Sequence, residues 1–95
     1  MDDQLIEHTS QIFKALSDPT RIKILQLLLL KECSVNEIAK QLNMNQSTIS
    51  HQLKYLKQLH LVKKRREKTM LYYSPDDDHV MNLLEQTIEH TKHTR

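Results

Sequence analysis

A mainly α-helical domain carrying one small β-hairpin is what the 95-residue sequence predicts, and three observations predict it. Apolar residues recur at helical intervals through most of the chain. Two short helical stretches are separated only by Asn43-Met44-Asn45. Directly after them the pattern changes to two strand-like runs, LVKKRR and TMLYYS, rich in Val, Thr and Tyr. At this size one domain, residues 1–95, has a limited buried fraction of its own, so a homodimer is a natural supplement.

In chain order, Leu5, Ile12, Phe13 and Leu16 form the apolar stripe of a first helix ending near Ser17. Asp18 then caps a second helix, with Pro19 at its first position, where a missing N–H costs nothing. Ser34-Val35-Asn36-Glu37 has the S-x-x-E form of a capping box and opens a helix over Val35–Leu42. The next helix spans about Gln46–Gln58 and turns Ile49, Leu53 and Leu56 inward. Gln46, Ser47, Ser50, His51 and Lys54 stay on its other side. A helix-turn-helix over about 35–58 is therefore expected, followed by a hairpin over about 61–74 whose turn lacks Asn-Gly or Asp-Gly. Ser74-Pro75-Asp76-Asp77 repeats the cap-then-proline pattern and is expected to start a last helix, over about 75–93.

Composition removes several functions. With no glycine anywhere, a phosphate-cradling glycine loop or a dinucleotide fingerprint is excluded. The longest apolar run, Ile24–Leu30, is interrupted by Gln26 and is far short of the ~20 residues of a membrane span. The N-terminus has no leader pattern, and the single cysteine, Cys33, cannot close a disulfide within one chain, so a cytoplasmic protein is expected. No Ser-His pair has a third group placed to complete a triad, so the chain reads as a non-enzyme.

Net charge is only +2, yet seven of the fourteen basic residues fall between Lys54 and Lys68, opposed there only by Glu67. A small-polar helix face beside a basic hairpin fits duplex DNA: Gln, Ser and His address base edges and phosphates, while Lys63, Lys64, Arg65, Arg66 and Lys68 reach the backbone. Aromatics are scarce, which argues against single-strand stacking as the main mode.

The C-terminal twenty residues hold Asp77-x-His79 and, ten residues on, His90-x2-His93. Eleven residues of α-helix turn through about 1,100°, which returns His79 and His90 to nearly one face, but they also advance roughly 16 Å along the axis. One helix cannot bring both ends to one ion. Two such helices packed antiparallel across a twofold axis can, with Val80, Leu84 and Ile88 as the apolar contact between them. Two sites per dimer would form, each with three imidazoles and one carboxylate, a set suited to tetrahedral Zn(II) or Co(II).

The run FKALSDPTRIKILQLLL and the stretch from Ser34 to Ser74 resemble the ArsR/SmtB family of winged-helix, metal-responsive repressors, and the tail resembles the C-terminal helix site of its zinc/cobalt sensors. The resemblance implies operator DNA as partner, with Gln46, Ser47, Ser50 and His51 on the recognition helix and Lys63 to Lys68 as the wing. It implies Asp77 and His79 of one protomer, with the partner's His90 and His93, as metal ligands. It also places the acceptor for the second ring N–H of His90 around His60, a relay from metal to DNA. A cysteine-rich site of the family falls here on Glu32-Cys33-Ser34-Val35-Asn36-Glu37, with neither cysteine in register, so soft-metal sensing there is not expected. A nickel-responsive repressor of the same fold, with His8 as an added nitrogen ligand, and a repressor with no metal response are the alternatives.

Overall fold

The computed structural model describes residues 2–95. Its elements are α1 (Asp3–Leu16), α2 (Pro19–Leu30), β1 (Cys33–Ser34), α3 (Val35–Leu42), α4 (Gln46–Gln58), β2 (Val62–Glu67), β3 (Met70–Pro75) and α5 (His79–Thr94).

Caps set the helix starts. The Asp18 carboxylate accepts from the Arg21 N–H, and Pro19 occupies the first turn of α2. At α3 the capping box is complete: the Glu37 N–H donates to Ser34 Oγ at 3.2 Å, and the Ser34 N–H donates to the Glu37 carboxylate at 2.8 Å. That bond from the Ser34 backbone is the main reason the Glu37 carboxyl is held below its ordinary value. Ser34→Ala removes one half of the box at a buried position and is expected to cost about 1 kcal/mol, a fall of about 4–8 °C in thermal unfolding. An unchanged midpoint would mean that the Ser34 hydroxyl contributes nothing to the start of α3.

Two helix ends share one device. After α3, the N–H groups of Met44 and Asn43 return to Ala39 O and Lys40 O; after α4, those of Leu61 and His60 return to Leu56 O and Lys57 O. This is the Schellman pattern, which needs a left-handed residue at its corner. Asn43 (φ 54°) and His60 (φ 60°) take it, and Lys68 (φ 57°) does the same at the hairpin tip. A glycine-free chain has no cheaper residue for these places.

The core joins Ile24, Leu25 and Leu28 of α2 to Ile38 of α3, Ile49, Leu53 and Leu56 of α4, Val62 and Tyr73 of the sheet, and Met81 and Leu84 of α5. The sheet has three strands in the order β1-β3-β2, all antiparallel. The expected hairpin is present, with Glu67 opposite Met70 across the two-residue turn, but β1 adds an unexpected edge through Cys33↔Tyr73 and Ser34↔Tyr72.

The start of the last helix differs from expectation. Pro75 ends β3 opposite Val62, and α5 begins only at His79, with Asp78 before it making no side-chain cap bond. At a strand end proline forfeits no ladder bond that the sheet needs, and the following Asp76 N–H donates to Leu61 O instead of starting a helix.

Candidate DNA interface and metal-binding helix

On α4 the side chains of Gln46, Ser47, Ser50, His51 and Lys54 are all exposed, while Ile49, Leu53 and Leu56 are fully buried. The helix thus offers a polar face set by a buried stripe. Its first turn is organised locally: Asn45 accepts from the Thr48 N–H at 2.8 Å and from Ser47 Oγ at 3.0 Å, and the Gln46 amide donates to Asn36 on α3. Asn36 therefore holds a candidate base-reading side chain. No spacing rule in the sequence links positions 36 and 46; the helix-turn-helix angle brings them together.

The hairpin alternates its charges by face. Arg65, Glu67 and Tyr72 share one side; the Arg65 guanidinium is ion-paired with Glu32 and Glu67 and stacked on the Tyr72 ring at 5.1 Å. The hydrogen bond from Arg65 is the main cause that holds the Glu32 carboxyl below its ordinary range, so this brace is intact at neutral pH and is lost in acid as that depressed range is crossed. Of the five basic wing residues, Lys63, Lys64, Arg66 and Lys68 are exposed and make no ion pair with any described residue. Arg65 alone is engaged in bracing the wing against the α2–β1 connection.

Two of the tail residues meet at the start of α5. Asp77 Oδ1 accepts from the His79 N–H at 2.9 Å and lies 3.7 Å from His79 Nδ1, with the imidazole 94% exposed. His90 and His93 are exposed near the other end, where His93 Nε2 is 3.9 Å from Glu89. Sixteen helical residues put those ends about 24 Å apart. Among the described residues of one chain, no three His, Cys, Asp or Glu side chains form a metal-sized group.

Of the apolar contacts expected between two such helices, Leu84 belongs instead to its own protomer's core, and Val80 and Ile88 pack against that core. The apolar side chains that α5 and α1 leave outside are Leu83, Phe13, Leu5 and Ile6. Phe13 and Leu83 line a groove between α1, α2 and α5, with Leu16, Ile22 and Ile88 in its floor.

His60 sits at the left-handed corner that ends α4, and its ring Nδ1 is 4.0 Å from the Asp76 carboxylate. The corner therefore adjoins the segment that carries Asp77 and His79, not the His90 end of the same chain. Cys33 is buried beside β3, and burial pushes its thiol pKa up, which suits a packed side chain better than a metal-binding thiolate. Among the described residues no helix is long and apolar enough to cross a membrane.

A helix-turn-helix with an exposed polar second helix, followed by a basic hairpin, is the architecture of a winged-helix DNA-binding domain. The family model for bacterial regulatory proteins of the arsR family matches residues 18–64. The chain is 42% identical over 84 residues to a cadmium resistance transcriptional regulatory protein CadC homolog of Staphylococcus aureus, covering 87% of this chain and 69% of that one. It is 37% identical over 84 residues to a transcriptional repressor SmtB homolog of Synechocystis, covering 88% of this chain but only 64% of the relative's length. Its fold superposes with a TM-score of 0.88 on the homodimeric winged helix-turn-helix domain of Mb0332 from Mycobacterium bovis, at 33% identity and covering 97% of this chain and 88% of that one. The chain belongs to the arsR family.

Proposed function

We propose that the protein is a repressor that binds operator DNA as a homodimer and leaves it on binding Zn(II) or Co(II). The observation that carries this reading is the division of α5: Asp77 and His79 are exposed at one end, and His90 and His93 at the other. Two α5 helices crossing antiparallel would complete two identical sites of three imidazoles and one carboxylate. The exposed Phe13 and Leu83 supply an apolar face on which two copies can close. Support for a dimer also comes from the homodimeric state of the Mycobacterium bovis domain.

The metal would supply a cross-link between protomers. The chain's own residues do the rest: Asp77 and His79 present two donors beside the His60 corner, and the partner's His90 would arrive next to the end of α4. A ligating histidine commonly donates its other ring N–H to a carbonyl, and the His60 corner is the proposed acceptor. The recognition helix ends at that corner, so a metal bound there bears on how α4 lies in the groove. Cadmium sensing through Cys33 is disfavoured by its burial.

Thermodynamic linkage tests the reading. Whatever factor zinc removes from DNA affinity, bound DNA must remove from zinc affinity, and a regulatory coupling of about 5–150-fold is expected. Zinc titrations of the purified protein, with and without a saturating duplex selected by the protein from a randomised pool, measure it. Equal zinc affinity in both titrations would overturn metal-controlled release.

A further inference from the structure

One side chain outside both candidate sites touches three helices. Arg21 lies in the first turn of α2, where its own N–H is fixed by the Asp18 carboxylate at 3.0 Å. Its guanidinium points two ways. Nε donates to Ala15 O at 2.9 Å and Nη2 donates to Lys14 O at 3.3 Å, so it closes the C-terminal end of α1. A cation at that end also meets the negative pole of the helix dipole. Nη1 donates to Gln52 Oε1 at 3.2 Å, and the guanidinium lies over the Tyr55 ring at 4.8 Å.

Gln52 and Tyr55 are three residues apart on α4, hence on one face of it. Each follows directly a candidate DNA contact, His51 or Lys54. Meanwhile α1 packs on α2 and has no broad contact with α4. The planar, forked guanidinium thereby ties the end of α1 to the flank of α4 with a fixed geometry that an ammonium cannot reproduce.

We propose that Arg21 is a positioning residue that makes the orientation of the recognition helix follow α1, and that Gln52 is its receiver. The inference rests on the reading given above, in which α4 enters DNA and α1 lies in the dimer face. Under it, the spacing of the two recognition helices is held by the Arg21–Gln52 bond in each protomer. The role differs from a phosphate contact, which would attract every duplex alike, and from a purely stabilising bond, which would not alter the choice between duplexes.

The test uses a duplex selected from a randomised pool by the wild-type protein, and the same duplex with one base pair inserted at its centre. Gln52→Ala removes the receiver on a half-exposed helix face and leaves the Arg21 bonds to α1 in place. It is expected to lose about 3- to 10-fold in affinity for the selected duplex, the size of one hydrogen-bond contribution. It should also discriminate less against the inserted base pair, with salt dependence unchanged and a fall in thermal midpoint no larger than the loss of one hydrogen bond explains. Arg21→Lys should behave alike, and its effect should shrink in the Gln52→Ala background. Wild-type discrimination by Gln52→Ala would overturn the proposal. So would a salt slope lowered by about one per protomer in Arg21→Gln, which removes the charge that lysine keeps and would mark a direct phosphate contact. A wild-type protein that selects no duplex would refute the DNA reading itself and this inference with it.

Discussion

Phe13→Glu is expected to separate the dimer and to weaken binding to a duplex with two half-sites by about 100-fold or more, because two linked binding events become independent. Phe13 is 55% exposed on α1 and lies over the groove that α1, α2 and α5 form, so its own protomer loses little packing when it is replaced. In a dimer closed on that face the new carboxylate would be desolvated opposite its symmetry copy, which is strongly unfavourable. Sedimentation equilibrium reads the dissociation, gel shifts read the DNA loss, and circular dichroism checks that the monomer is folded. A variant that remains dimeric would move the interface away from α1 and α5.

Pairing a His79→Ala chain with a His90→Ala chain is expected to give a dimer that binds one zinc ion as the native protein does and a second only weakly. Each proposed site takes Asp77 and His79 from one protomer and the partner's His90 and His93. One site of the mixed dimer thus keeps all four donors, while the other loses two. Loss of even an outer-sphere partner commonly costs about 10–100-fold in metal affinity, so loss of two ligands should exceed that. Two equal, half-damaged sites in the mixed dimer would mean that each chain binds its own ion. That outcome conflicts with the roughly 16 Å that eleven helical residues put between His79 and His90.

The starts of α2 and α3 were legible in the sequence nearly to the residue. Asp18-Pro19 and Ser34-x-x-Glu37 are local chemistry, and each side-chain bond they imply is formed within three residues of its donor. The exposed polar side of α4 was legible for the same reason, because its buried stripe of Ile49, Leu53 and Leu56 fixes which residues remain outside. What escaped depends on residues far apart in the chain. Strand β1 has two residues and exists only because β3 runs beside it. The cap-like Ser74-Pro75 pair was absorbed by the end of β3, where pairing with β2 prevailed over helix initiation. The Arg65–Glu32 ion pair and the Arg21–Gln52 bond span 33 and 31 residues, and no period or spacing announces them. The four metal-binding candidates could be named from spacing, whereas the assembly proposed for them needs a second chain, which one chain cannot display.

The three left-handed residues bear on what DNA binding costs. Asn43, His60 and Lys68 stand at the helix-turn-helix corner, the exit from α4 and the wing tip, so every bend of the DNA-facing half is made without glycine. A non-glycine residue in that conformation raises the energy of the folded chain by roughly 1–2 kcal/mol. Against this, a chain without glycine explores fewer conformations when unfolded, an effect of about 0.4–1 kcal/mol per position. The two terms act on opposite sides of the folding equilibrium and offset one another in part. Two of these corners, at Asn43 and His60, are each fixed by a pair of backbone hydrogen bonds, so under the proposed DNA reading they have little freedom left to lose on binding. In that reading, ordering entropy that a flexible corner would lose at each encounter with DNA is lost once, when the chain folds.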